Sequence, residues 1–408
     1  MELTSAAANN AADMGPYGAP EMSKRIACVF NRSGFQGGGE ISFFELIKGL
    51  DRKKFNPLII VPGDGEIVQS VAGLGLEVSI CPLPPLKTMV LGLPLWSLIR
   101  LAGILRSTSI NLIHSNGSRA CFYSGMAGLL LKIPMIWHVR ETIQDIAVYD
   151  KLLARLSAAI ICVSSSVKVK RFAKFGSRIS DKIHVAYNGV DTQRFNRNQN
   201  VRERIRRQYG IEESMLFGIV GNLIPLKGHD FFLRSLALAK KLRPDLAVKA
   251  IFIGKFLDPE YEGRLRRLMV DLKLEDFVSL TGFAADVPAY LAALDVLALP
   301  SRREGCSRSL IEAMSAGLPV VASDISEIEE AVRPKKNAIL VKYGDVAQMA
   351  AGIIELAENK KLRDDMGREN RKRAREMFSL KTHVDSIQRI YENELMKNGH
   401  PKHRASCN

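Results

Sequence analysis

VLALPSRREGCSRSLIEAMSAGLPVVASD, residues 296 to 324, decides the fold. Val296 to Leu299 form a short apolar run closed by Pro300, the pattern of a strand buried on both faces. A polar loop follows, carrying Ser301, Glu304, Gly305, Cys306, Ser307 and Ser309. Leu310 to Ala316 then predict a helix that turns Leu310, Ile311, Ala313 and Met314 inward, with Gly317 at its end and Pro319 beyond. Pro319 to Ala322 predict the next strand. Strand, loop, helix and strand make one parallel crossover unit. Ligands of such units sit at the carboxyl ends of the strands.

The amide groups from Gly305 to Ser309 would open that helix and form an anion site suited to phosphate. Glu304 stands at the strand tip and Glu312 just inside the helix. Each could accept two hydrogen bonds from a vicinal diol, Glu312 from a ribose and Glu304 from a second polyol. Equally, both could be solvated acids favoured near a helix N-terminus by its dipole.

Glu304 and Glu312, set within EGCSRSLIEAMSAGLPVVASD, resemble the signature of the retaining glycosyltransferases of family 4, the glycosyl transferases group 1. The similarity extends to VGNLIPLKGHD (Val220 to Asp230), LTGFAADVPAYLAALDVLALPS (Leu280 to Ser301) and VAYNGVD (Val185 to Asp191), in the family's order. It is strongest from about Val185 to Phe378. The resemblance implies an α/β chain of GT-B fold, two Rossmann-like doubly wound parallel-sheet domains facing a central cleft. It also implies site roles. Lys227 would meet a donor phosphate as a point charge, and Glu304 and His138 would contact the sugar. Asn222 stands where most relatives carry arginine, which leaves more of the phosphate charge to Lys227. The loop of Gly282 and Phe283 would hold the nucleotide base.

The alternation of short apolar runs and helical patterns agrees with that fold. In the first half, Arg25–Asn31, Pro57–Val61, Glu77–Leu83, Asn111–Ser115, Met135–Val139, Ala159–Val163 and His184–Tyr187 predict strands. In the second half, Leu216–Val220, Val248–Gly254, Val278–Thr281, Val296–Leu299, Pro319–Ala322 and Ile339–Val341 do the same. The expected division is a disordered lead-in over 1–22, an acceptor domain over 23–192 and a nucleotide-sugar domain over 193–378. A helix over 379–396 would cross back to the first domain, and 397–408 would be a basic tail.

After the first strand, Ser33-Gly-Phe-Gln-Gly-Gly-Gly-Glu opens a helix. Gly37, Gly38 and Gly39 permit close backbone approach to a ligand or simply make a tight turn. Their spacing is not the dinucleotide fingerprint GxGxxG, which argues against a nicotinamide-dependent dehydrogenase. His138 ends another strand within MIWHVRE, where a lone histidine also suits a core position; Arg140 and Glu141 follow it as acceptor-side candidates. His114 and Asn116, at the end of the preceding strand, are weaker candidates.

Length and composition set the outer bounds. A chain of 408 residues exceeds the ~250–300 at which single cores stop growing, so two domains are expected. Apolar residues make up 47% and charged residues 25%, as in a globular protein. Fifty-eight Lys plus Arg against 43 Asp plus Glu leave a net charge of +15, which suits an anionic partner. No nucleic-acid module is present, so a membrane surface and an anionic donor fit better. Cys28, Cys81, Cys121, Cys162, Cys306 and Cys407 show neither a CxxC pair nor a metal spacing. They predict buried free thiols in a reducing compartment. Residues 1–22 lack the apolar run of a signal peptide. The most apolar stretch, Met89 to Leu105, is broken by Gly92, Pro94 and Arg100 and is too short and interrupted to cross a bilayer. Pro82 to Arg106 reads as an amphipathic helix packed on a sheet, or as a surface leaning on lipid headgroups. The expected location is cytoplasmic, with peripheral membrane contact.

The expected activity is metal-independent transfer, with retention, from a UDP- or GDP-sugar to a glycan or lipid-linked acceptor in cell-envelope synthesis. No Asp-x-Asp metal motif is present and no cofactor is expected. Two rivals share the fold: a sugar-nucleotide epimerase, and a non-catalytic partner subunit at the membrane.

Overall fold

A computed structural model describes residues 23–85, 93–142 and 147–399. The expectations for residues 1–22, for Cys407, for residues 86–92 of the Pro82 to Arg106 segment and for the tail beyond residue 399 lie outside these.

Two fully parallel sheets organise the chain, as the apolar runs predict. The first has seven strands: β1 Lys24–Phe30, β2 Phe55–Val61, β3 Glu77–Ile80, β4 Leu112–Asn116, β5 Met135–Val139, β6 Ala159–Cys162 and β7 Ile183–Val185. The second has six: β8 Met215–Val220, β9 Val248–Ile253, β10 Val278–Leu280, β11 Val296–Leu299, β12 Val320–Ser323 and β13 Ala338–Val341. Their orders are β3-β2-β1-β4-β5-β6-β7 and β10-β9-β8-β11-β12-β13. Every pairing between these strands is parallel, with helices on both faces, which is why the central strands read as unbroken Val, Ile, Leu and Ala runs. This is the GT-B architecture.

Each sheet has a switch point where the winding reverses, between β1 and β4 in the first and between β8 and β11 in the second. The crevice outside such a point is where open α/β sheets bind ligands. The glycine loop follows β1 and Asn116 ends β4, while Lys227 lies after β8 and Glu304 after β11. Topology thus places these four candidates at the two switch points, whereas His138, Arg140 and Glu141 belong to β5 and its end and Phe283 follows β10.

The last helix, Leu380–Gly399, runs three residues past the expected end at 396 and returns to the first sheet. Val384, Ile387 and Tyr391 are buried in one cluster with Phe43, Leu46 and Ile47 of helix Gly38–Gly49. Ile387 is fully buried, so Ile387→Ala should cost about 2–5 kcal/mol. The measurement is the urea unfolding midpoint; an unchanged midpoint would show that the returning helix is not part of the first domain's core.

Candidate active site

Lys227 ends a short 3-10 turn, Pro225–Lys227, directly after β8. Gly228 follows with φ +69°, and a Cβ there would lie 2.0 Å from the Pro300 carbonyl oxygen. Only glycine fits both conditions, and the close approach brings the β8 and β11 loops together. Lys227 Nζ consequently reaches Glu304 Oε1 at 2.7 Å, and Ser301 Oγ donates to the same oxygen at 2.6 Å. The side chains are 19% and 9% exposed, so the pair is largely desolvated but open on one side.

The predicted helix starts two residues earlier than the sequence suggests, at Arg308, and ends at Ser315. Ser307 is its N-cap and makes no side-chain cap bond; its hydroxyl instead lies 3.2 Å from that of Ser309. Backbone donors of the first turn are therefore not taken by a capping side chain. Glu312 accepts from Arg308 Nε at 2.7 Å, and Arg308 Nη1 also reaches Ser42 Oγ of the first domain at 3.4 Å. Burial pushes the Glu312 carboxyl above its ordinary range, and Arg308 works against that shift.

At Gly305 the two domains touch. A Cβ on it would stand 2.1 Å from the Arg140 carbonyl oxygen, so no side chain is tolerated. Ser164 Oγ donates to the Gly305 carbonyl at 3.0 Å, and Asn188 Nδ2 donates to the Cys306 carbonyl at 3.2 Å. Burial pushes the Cys306 thiol up to about 11, which keeps it protonated and unreactive at neutral pH. Asn222, expected at the donor phosphate, donates across the domains to the Gln36 carbonyl at 2.8 Å. Gly38 and Gly39 face the Arg308 and Arg140 side chains, so the glycine loop packs on two guanidinium stems. Gly37 is extended, at φ −163°.

His138 is fully buried. Its Nδ1 lies 3.0 Å from His114 Nε2, whose other nitrogen hydrogen-bonds the Tyr391 hydroxyl of the returning helix. In this structure, therefore, His138 presents no surface to a ligand. Arg140, two residues on, is half-buried and stands beside the glycine loop and Gly305. It donates from Nε to Asn116 and, at 2.7 Å, from Nη1 to Asn188, with Nη2 3.4 Å from His138 Nδ1. Burial is the main force that lowers Arg140, to about 10, and Glu40 opposes it. Glu141 is exposed, and its carbonyl accepts from Arg171. Phe283 is exposed after β10, with Lys255 Nζ 6.0 Å from its ring centre.

Several site residues escape the sequence reading. Arg308 lies inside the quoted signature but gains its meaning from Glu312 and Ser42. Asn188 sits in the predicted Asn-Gly turn, yet its role in bridging Arg140 and Cys306 needs three separate segments. Among the described residues, no group of three or more His, Cys, Asp or Glu is arranged to hold a metal ion.

The description Glycosyl transferases group 1 matches residues 201–373, and Glycosyltransferase Family 4 matches residues 36–194. An Escherichia coli UDP-Gal:alpha-D-GlcNAc-diphosphoundecaprenol alpha-1,3-galactosyltransferase is 24% identical over 72% of this chain and 78% of its own. A GDP-mannose-dependent alpha-(1-6)-phosphatidylinositol monomannoside mannosyltransferase from Mycolicibacterium smegmatis is 30% identical over 44% of this chain; the match spans about half of that relative, 48%. In structure, Anabaena Alr3699/HepE in complex with UDP and glucose superposes with a TM-score of 0.79 at 21% identity, covering 90% of this chain and 99% of that one.

The histidine cluster makes a stability prediction. Burial holds His114 and His138 well below 6.5 and His383, beside them, down to about 3, with Arg140 adding repulsion to each. Folded values below the unfolded 6.5 mean that the unfolded chain takes up protons first. Stability is complete above pH 6.5 and is lost toward pH 3, by up to about 1.4 kcal/mol per pH unit for each histidine. Thermal midpoints should fall between pH 7 and about 5, less steeply in His383→Gln. A midpoint equally steep in that variant would remove His383 from the account.

Proposed function

This chain belongs to the glycosyltransferases of family 4, the glycosyl transferases group 1, and on that premise we propose a retaining, metal-independent transfer of a sugar from a nucleoside diphosphate to a glycan or lipid-linked acceptor. The Lys227–Glu304 pair carries this reading: it follows strands β8 and β11 at the switch point of the second sheet and precedes helix Arg308–Ser315.

The bond that breaks joins the anomeric carbon to a diphosphate oxygen, and charge gathers on the departing diphosphate. Lys227 and the first-turn amides after Ser307 stabilise that charge as it forms. Glu304 holds sugar hydroxyls, and Glu312 holds the ribose once the donor displaces part of its bond with Arg308. Gly37, Gly38 and Gly39 lie over the diphosphate, and Phe283 flanks the base. The acceptor hydroxyl attacks the same face that the diphosphate leaves, and its proton passes to the departing phosphate oxygen. The first domain's contact with the sugar, expected of His138, falls in this reading to Arg140, with His138 behind it as support. Arg140 and Glu141 face the acceptor. Cross-domain bonds such as Ser164 to Gly305 and Asn222 to Gln36 give closure a structural basis, which excludes water during transfer.

The names of the relatives support the substrate class. One uses UDP-galactose on a diphosphoundecaprenol-linked sugar, the other GDP-mannose on a phosphatidylinositol mannoside. Both acceptors are lipid-linked, which favours cell-envelope polysaccharide or glycolipid assembly here. The epimerase and the non-catalytic subunit find no comparable support.

With a matched sugar nucleotide and acceptor, Lys227→Ala should lower kcat/KM by about 10²–10³-fold. Wild-type turnover should persist in excess chelator, and the product should keep the donor's anomeric configuration. Inverted product by NMR, or turnover abolished by the chelator and restored by a divalent ion, would overturn the mechanism.

A further inference from the structure

We propose that one face of the first domain docks onto an anionic lipid bilayer. The face is built by helices Leu93–Ser107 and Ala147–Leu156, which flank the largely buried helix Ser118–Leu131 on the same side of the first sheet. All three connect parallel strands, so they run in one direction and begin at the carboxyl edge, where the candidate site lies.

What these helices turn outward is unusual for a water-facing surface. Helix Leu93–Ser107 buries Leu101 and Leu105 and exposes Leu95 (63%), Trp96 (49%) and Ile99 (65%) together with Arg100 and Arg106. These positions form a single helical stripe, so the sequence has placed apolar side chains on the outer face as well as the inner one. Helix Ala147–Leu156 does the same, exposing Val148 (78%) and Leu152 beside Lys151 and Arg155. Leu129, Leu130 and Lys132 extend the surface at the far end of the central helix.

The charges identify the occupant. Asp150 is the one acid on these helices, and it is buried against Arg171 at 2.6 Å. Among the described residues, neither Arg100, Arg106, Lys151 nor Arg155 has an acidic partner. On several other helices, by contrast, basic side chains are paired along the helix, as in Glu260–Arg264, Glu262–Arg266, Lys360–Asp364 and Lys381–Asp385. Exposed apolar residues interleaved with uncompensated cations fit the interface of an anionic bilayer, where rings and aliphatic chains enter the acyl boundary and cations meet headgroup phosphates. No described helix is long and apolar enough to cross a membrane, so the contact is peripheral. It rests on this surface alone; its use, bringing the cleft to a lipid-linked acceptor, follows from the proposed function.

The test is flotation of the full chain with vesicles of pure phosphatidylcholine and with vesicles rich in phosphatidylglycerol, combined with tryptophan emission. Trp137 is fully buried and Trp96 half exposed, so only Trp96 can respond. Binding to the anionic vesicles, a blue shift that Trp96→Phe abolishes, and weakening as salt rises well above ~0.15 M are expected. The Trp96→Glu/Ile99→Glu double variant should lose about tenfold or more in partitioning, with its melting curve and nucleotide-induced shift unchanged. The same loss in Val148→Glu/Leu152→Glu would extend the contact to the second helix. Equal binding to both vesicle types, or binding to neither, would overturn the proposal. So would a dimer in vesicle-free solution that the Trp96→Glu/Ile99→Glu variant dissociates, since the face would then belong to a second copy of the chain.

Discussion

A lysine and a glutamate 2.7 Å apart, at the mouth of a parallel sheet buried on both faces, form the interaction around which the functional half of the chain is arranged. Taking two charges out of water is costly unless each keeps a partner and the surrounding bonds are satisfied. The chain meets that condition by construction. Gly228 lets the β8 loop approach the Pro300 carbonyl, and Ser301 supplies a second donor to the carboxylate. In the proposed function that pair is preorganised for an anion, which would take over the lysine without a large rearrangement.

The second constraint is steric. Residue 305 must be glycine because the Arg140 carbonyl occupies the place of its side chain. That single approach ties the loop after β11 to the end of β5, and the bonds from Ser164 and Asn188 lie beside it. Behind Arg140, the pair His114 and His138 connects the loop to Tyr391 of the returning helix. The C-terminal helix is thus both a hydrophobic clasp on the first sheet and the back wall of the site. A change in its packing should be felt at Arg140 through rings rather than through the cleft.

Much of this was legible in residues alone. Thirteen apolar runs gave thirteen strands, most within one or two residues at each end, because a strand covered on both faces leaves an unbroken apolar signature. The place of Glu304 at a strand end and a helix from Leu310, two residues short of its true start, were equally visible, since strand ends and helix starts are marked by proline, glycine and small polar residues. Partners supplied by distant segments were not. His138 sits at a strand's end, where burial depends on whether another element covers it, and the covering helix lies more than two hundred residues away. Arg308 and Asn222 likewise acquire their contacts only when the two domains face each other. For the outward stripe of Leu95, Trp96 and Ile99 the sequence leaves two readings, a helix packed on the sheet and a surface on lipid headgroups, because periodicity does not say which of two apolar faces meets the sheet.

The central claim is that the Lys227–Glu304 corner and the neighbouring helix terminus bind a nucleoside diphosphate. Calorimetric titration of UDP and GDP into the chain, without sugar or acceptor, tests it most directly. One of the two should bind with a single site per chain, and Glu312→Ala should abolish the heat, with the variant's fold checked by circular dichroism because Arg308 loses its partner. Absence of heat with both nucleotides, or undiminished binding in Glu312→Ala, would contradict the account.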